Sequence, residues 1–183
     1  MSWSNIYCQI LTKTGPIVGE GLLDGFQGSV ELLDFKWGMS VRTDAEQTGG
    51  GYGISMKKLK SMVGSSSAKG LDLEELEITK RFDIASARIH SCIDNDTPIV
   101  SLSITVLHIK QGGRTLHQPG FTFVASDGFF TESTLNLTPS GGGAELTETI
   151  KFNFRSVNMT YLKRLGKDNF PMNPFSYAKP KNQ

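Results

Sequence analysis

The stretch from Thr131 to Tyr161, TESTLNLTPSGGGAELTETIKFNFRSVNMTY, restricts the possible folds more than any other part of the chain. Two alternating segments flank a glycine-rich turn. Before the turn, Ser133, Leu135 and Leu137 share one face, while Thr134, Asn136 and Thr138 share the other. After it, Leu146, Ile150, Phe152 and Phe154 point one way, and Thr147, Thr149, Lys151, Asn153 and Arg155 point the other. Period-two alternation marks strands with one dry and one wet face. Between them, Pro139-Ser140-Gly141-Gly142-Gly143 supplies the backbone freedom that a tight reversal needs. Long half-wet strands belong to a sheet or barrel with a broad polar surface.

The rest of the chain repeats this theme. In the run Ser29–Arg42, Val30 and Leu32 share one parity, and the pattern then switches to Leu33, Phe35, Trp37, Met39 and Val41. Such a switch predicts a bulge, which bends a strand as barrel closure requires. Leu76, Ile78 and Phe82 alternate with Glu77, Thr79 and Arg81, and Val100, Leu102, Ile104 and Val106 alternate with Ser101, Ser103 and Thr105. Phe121 and Phe123 open a further strand, and Gln111-Gly112-Gly113 and Ser126-Asp127-Gly128 read as turns. The pattern is mainly β, an antiparallel barrel or sandwich. One short flanking α-helix interrupts it. In DIASARIHSCIDND, Ala85, Ile89, Cys92 and Ile93 fall on one face; Asp83 or Ser86 can cap the start, and Asn95-Asp96-Thr97-Pro98 stops it.

Two segments stand apart. Residues 43–72 form a long extended loop in which glycines and serines enclose a basic amphipathic patch. A connection of that length inside a compact domain is generally functional or disordered. The segment after Leu165 is rich in Pro and Asn and reads as an irregular tail over 166–183, following a single domain over 1–165.

Composition excludes several classes. With 19 basic against 18 acidic residues, the chain lacks the excess charge of a nucleic-acid binder. No apolar run is long enough to cross a bilayer, and the N-terminal sequence lacks the pattern of a secretory signal, so cytoplasmic synthesis and no stable membrane insertion are expected. Cys8 and Cys92 read as small buried thiols. No phosphate-loop, nucleophile-elbow or metal-ligand spacing is present. His90, His108 and His117 read as ordinary positions, and Glu74, Glu75 and Glu77 as a solvated strand edge. No enzyme activity, cofactor or metal is expected.

Three segments resemble, in order, the Hcp (haemolysin co-regulated protein) family of bacterial type VI secretion. Gly28–Gly38 is similar to an early family strand that ends in an aromatic-x-Trp-Gly pattern. Thr79-Lys80-Arg81-Phe82-Asp83-Ile84-Ala85-Ser86 resembles the family's strand-to-helix entry, and Ser140–Gly143 with Thr147-Glu148-Thr149 and Phe152-Asn153-Phe154 resembles its closing hairpin. The likeness spans about Ile6 to Tyr161. The long loop at 43–72, Ala87 where many relatives place proline, and the tail after Tyr161 depart from the family pattern.

The resemblance implies a β-barrel with one flanking helix. It implies hexameric rings that stack head-to-tail into a tube inside a contractile sheath, capped by a VgrG-type spike protein. Contraction would export the tube, without a signal peptide, together with cargo effectors. It also implies that the loop after the Trp-Gly strand reaches adjoining subunits or rings. The stacking interface expected there comprises Thr43, Asp44, Tyr52, Met56, Lys57, Lys58, Leu59, Lys60, Met62 and Val63, the lysines meeting acids of the next ring. The rivals are a phage-type contractile tail tube protein and a monomeric ligand-binding barrel with a large apolar cavity.

Overall fold

Antiparallel pairing closes six strands of this chain into a barrel. The computed structural model describes residues 5–41, 71–108, 118–140, 143–165 and 168–179. In chain order the elements are β1 (Ile6–Thr12), β2 (Gly15–Ile17), β3 (Val30–Lys36), β4 (Met39–Val41), β5 (Leu71–Leu73), β6 (Leu76–Arg81), α1 (Ile84–Asp94), β7 (Ile99–His108), β8 (Gln118–Ser140), β9 (Gly143–Leu165) and β10 (Asp168–Ala178). The ring of neighbours runs β9-β6-β3-β1-β7-β8 and returns to β9; β2 adds to β1, and β10 to β9. A closed barrel leaves no free edges among its members.

The interior is filled by the dry parity of the strands within the barrel, whereas at the turn end of the β8–β9 hairpin Leu135, Leu137 and Leu146, expected on a dry face, are exposed. Cys8 and Ile10, Leu32, Leu76 and Ile78, Leu102 and Ile104, Phe123, and Ile150 and Phe152 are all buried. Phe123 meets Phe154 edge-on, with ring centroids 6.1 Å apart. Burying side chains of this size contributes about 1.5–3 kcal/mol each, so the inward face of the ring carries the fold. Burial pushes the Cys8 thiol well above its ordinary range, so it stays protonated and packs as a small apolar group.

The predicted bulge lies where the parity switches. Leu32 pairs with Lys80 and Asp34 with Thr79, so Leu33 is the extra residue, and its side chain turns outward. A second register shift, between Val106 and Leu107, transfers the inward position from the even residues of β7 to Leu107.

Three further expectations need correction. The tail after Leu165 is not irregular, because Asp168–Ala178 pairs with the second half of β9 from Ser156 to Leu165. Glu77 is not on a sheet edge: β6 lies between β3 and β9, and Glu77 stands opposite Lys36 on one side and Lys151 on the other. Ser126-Asp127-Gly128 is not a turn. β8 runs straight through it, with Asp127 in the left-handed region (φ 56°), at the point where pairing to β7 ends.

The helix begins as expected. Asp83 is the N-cap and accepts a hydrogen bond from the Ala85 amide, while the Ser86 hydroxyl accepts from the Asp83 amide, so both candidate caps act in one capping box. Ala85, Ile89 and Cys92 are buried as predicted, joined by Ser86 rather than Ile93.

The chain divides into two compact units, one of residues 1–36 with 75–183 and the other of residues 37–74. Within the second, β4 pairs with β5, and the Trp37 indole donates to the Glu74 carbonyl at 3.1 Å. The predicted interface residues Thr43, Asp44, Tyr52, Met56, Lys57, Lys58, Leu59, Lys60, Met62 and Val63 lie outside the described residues.

Candidate functional site

Two charged residues stand on the dry parity of their strands. Lys80 follows Leu76 and Ile78 on the inward side of β6, and Glu148 precedes Ile150 and Phe152 on that of β9. The β6–β9 register sets them directly opposite each other. Both are fully buried, and Lys80 Nζ lies 2.8 Å from Glu148 Oε1. The lysine also donates to Asp83 Oδ1 at 2.6 Å, to Ser86 Oγ at 2.9 Å and to the Arg81 carbonyl at 2.7 Å.

Every oxygen of the carboxylate is used. Ser86 Oγ donates to Oε1 at 2.5 Å, while His90 Nε2, 2.9 Å away, and Ser133 Oγ, 3.4 Å away, donate to Oε2. Burial pushes the Glu148 carboxyl up. The hydrogen bonds from Lys80, Ser86 and His90 and the Lys80 charge outweigh this and hold it below its ordinary range. The cluster joins β6, the first turns of α1, β8 and β9. It is a clamp that seats the helix on the barrel, and its groups are saturated by one another.

In the sequence Lys80 and Glu148 stand out only as members of the family-like segments, and His90 reads as an ordinary position. The signal was present, since an opposite charge interrupts the apolar parity of each of two strands.

The outer surface divides into two kinds. Across β3, β6, β9 and β8, one row reads Lys36, Glu77, Lys151 and Glu132, each opposite the next, with charges alternating in sign. Lys151 Nζ lies 2.7 Å from Glu132 Oε2. Across β1, β7, β8, β9 and β10 three outer rows carry no charge, bordered by the exposed Asp127 of β8 and by Arg155 of β9. One row reads Gln9, Ser103, Val124, Asn158 and Ser176, and the next Leu11, Ser101, Ser126, Ser156 and Ala178. A third, shorter row is Thr105, Thr122 and Thr160.

A cleft of about 490 Å³ opens at the β1–β7 side of these rows. Gln9, Ser101 and Ser103 line it beside the apolar Ile10, Pro16 and Ile17. Ser29 stands in its wall, 3% exposed, with a hydroxyl that has no hydrogen-bond partner among the described residues. Among those residues no group of His, Cys, Asp and Glu is arranged to hold a metal ion, and no helix is long and apolar enough to cross a membrane.

The family model for "Type VI secretion system effector, Hcp" matches residues 7–161. The chain belongs to the Hcp family. It is therefore a secreted tube subunit of the type VI secretion system, of a family that assembles in rings. The segments that carried the resemblance meet in space, because Lys80, Asp83 and Ser86 come from the second and Glu148 from the third.

Solved Hcp structures share the fold at low identity. Hcp1 of the E. coli EAEC 042 pathovar is 15% identical with a TM-score of 0.66, covering 96% of this chain and 98% of that one. Hcp3 of Pseudomonas aeruginosa is 14% identical with a TM-score of 0.61, covering 96% and 98%. Hcp1 of Salmonella typhimurium is 13% identical with a TM-score of 0.61, covering 95% of each chain. No curated protein matches the chain.

Proposed function

We propose that this Hcp protein forms hexameric rings that stack into the inner tube of a type VI apparatus. The match of the family model over residues 7–161 carries this reading. In this reading the chain assembles in the cytoplasm around cargo effectors, beneath a VgrG-type spike and inside a contractile sheath. Contraction then exports it without a signal peptide. It acts by architecture, with no catalysis and no cofactor.

A ring of identical subunits needs heterologous contacts, in which one patch meets a different patch on the next copy. The contact between stacked rings is assigned to Thr43, Asp44, Tyr52, Met56, Lys57, Lys58, Leu59, Lys60, Met62 and Val63. This assignment rests on their amphipathic pattern and on their place after the Trp37-Gly38 pair. The barrel interior, filled by residues such as Phe123, Phe152 and Leu102, weighs against a ligand-binding barrel.

Light scattering on a sizing column, with negative-stain images of the same peak, tests the reading. A six-fold mass with annular particles is expected; a monomer at high concentration overturns it. Deleting residues 49–69 should leave rings but abolish stacking, and tubes of unchanged length would reject the loop assignment.

A further inference from the structure

We propose that α1 is an acid-released element: protonation of Glu148 unseats the helix from a barrel that stays closed, and uncovers the apolar stripe of Ala85, Ile89 and Cys92. This is independent of ring formation and adds a conformational response to the subunit.

Two kinds of contact seat α1. One is that short apolar stripe, buried along the helix, and the other is the clamp. Glu148 faces Lys80 from β6, Ser86 and His90 from α1 and Ser133 from β8, and Lys80 in turn holds Asp83 at the helix entry. The charged and titratable groups around the carboxylate are therefore Lys80, Asp83 and His90. A second proton on the His90 ring would add attraction to the carboxylate, so it is not the trigger. Once Glu148 itself takes up a proton, Lys80 keeps its charge and loses the anion opposite it. A buried ammonium without that partner has to reach water.

The fold opens more easily on one side of this pair than on the other. Lys80 and Glu148 stand on paired strands of a closed barrel, and parting them would break the β6–β9 ladder from Leu76 to Arg81. On the helix side the cover is thin, since the His90 side chain is 37% exposed while those of Lys80 and Glu148 are fully buried. α1 has 11 residues, too few to persist as a helix in water without packing, and its N-cap, Asp83, is a second carboxylate of the clamp. Lifting α1 therefore hydrates Lys80 with less loss than opening the ladder, which is local opening rather than global unfolding.

The direction with pH follows from the same contacts. Against burial, the hydrogen bonds from Lys80, Ser86 and His90 hold the Glu148 carboxyl below its ordinary 4.5. The seated helix is thus favoured above that value and is lost as pH falls through the folded one. The barrel wall responds in the opposite sense. Burial pushes up the Glu31 carboxyl of β3, so its protonation favours the fold as pH falls.

The two cysteines separate helix release from barrel opening. Cys92 lies on the buried face of α1 at 3% exposure, and Cys8 lies in the barrel interior at 0%. The unaltered protein is pulsed with a pyridyl disulfide, which reacts with thiols in acid, from about pH 7 to about pH 3, and mass mapping shows which cysteine is modified. Relative to a free cysteine peptide, modification of Cys92 should rise about tenfold per pH unit below about pH 4.5 while Cys8 stays protected. Glu148→Gln should be modified at Cys92 already at neutral pH and should lose the acid rise. If that variant does not fold, Ser86→Ala, which removes a helix contact and leaves Lys80 opposite Glu148, should raise Cys92 modification at every pH. Joint modification of both cysteines, protection of Cys92 until the barrel unfolds, an acid rise unchanged in Glu148→Gln, or no increase in Ser86→Ala overturns the proposal.

Discussion

Lys80 and Glu148 face each other across β6 and β9 in perfect register, both excluded from water, with 2.8 Å between Nζ and Oε1. Breaking such a pair on one side leaves an uncompensated buried charge, which costs about 3–5 kcal/mol. Lys80→Met should therefore destabilise the barrel by that amount in urea denaturation. Lys80→Met with Glu148→Leu removes both charges together and should lose clearly less than the sum of the single changes. An additive double mutant would mean that the two side chains do not depend on each other.

The same carboxylate sets the acid response. Its folded-state pKa is depressed from an ordinary value of 4.5. A depressed acid stabilises the fold at pH above its unfolded value, and that stability is lost as pH falls through the folded one. The urea midpoint should decline below about pH 4.5, and Glu148→Gln, less stable at neutral pH, should show a shallower decline. Glu31 acts in the opposite direction: burial raises its carboxyl, Arg81 opposing and Asp83 and Glu20 adding to the rise. Glu31→Gln should thus stabilise the protein slightly at pH 7.

Asp83 serves two masters, capping α1 through the Ala85 amide and accepting from Lys80. Loss of a cap alone costs about 0.5–2 kcal/mol. Asp83→Ala should exceed that range in denaturation, because a buried ammonium also loses an acceptor. Asp83→Asn keeps the cap and should recover part of the loss.

How far the fold was legible follows from these particular residues. The parity switch at Leu32-Leu33 revealed the bulge because a two-residue period leaves an unmistakable phase error. The helix caps were legible because Asp83 and Ser86 act within four residues of each other. β10 was hidden because Pro171, Pro174 and the asparagines obscure its alternation, and because its strand character comes from pairing with β9 rather than from local propensity. The Lys80–Glu148 clamp needed a cross-strand register that no single segment contains. The uncharged rows were equally out of reach. Each strand shows only a few hydroxyl residues, and the absence of charge becomes visible once five strands are aligned.

Gly128 offers the sharpest test of the barrel. The sequence places it after Asp127 like a turn glycine, yet β8 continues through it opposite Phe154. A Cβ added there would collide with the Asn153 carbonyl and the Phe152 ring, so the requirement is close approach of two strands rather than a reversal. Backbone cannot withdraw without disturbing the β8–β9 ladder, and Phe152 is fully buried with no room to swing aside. Overpacking of this kind costs about 1–3 kcal/mol. Gly128→Ala should lower the urea midpoint accordingly. Asp127→Gly next to it should be neutral or slightly stabilising, since it relieves a left-handed residue with φ 56°. The reverse ranking would show that the residues mark a turn after all and that β8 does not run unbroken past β7.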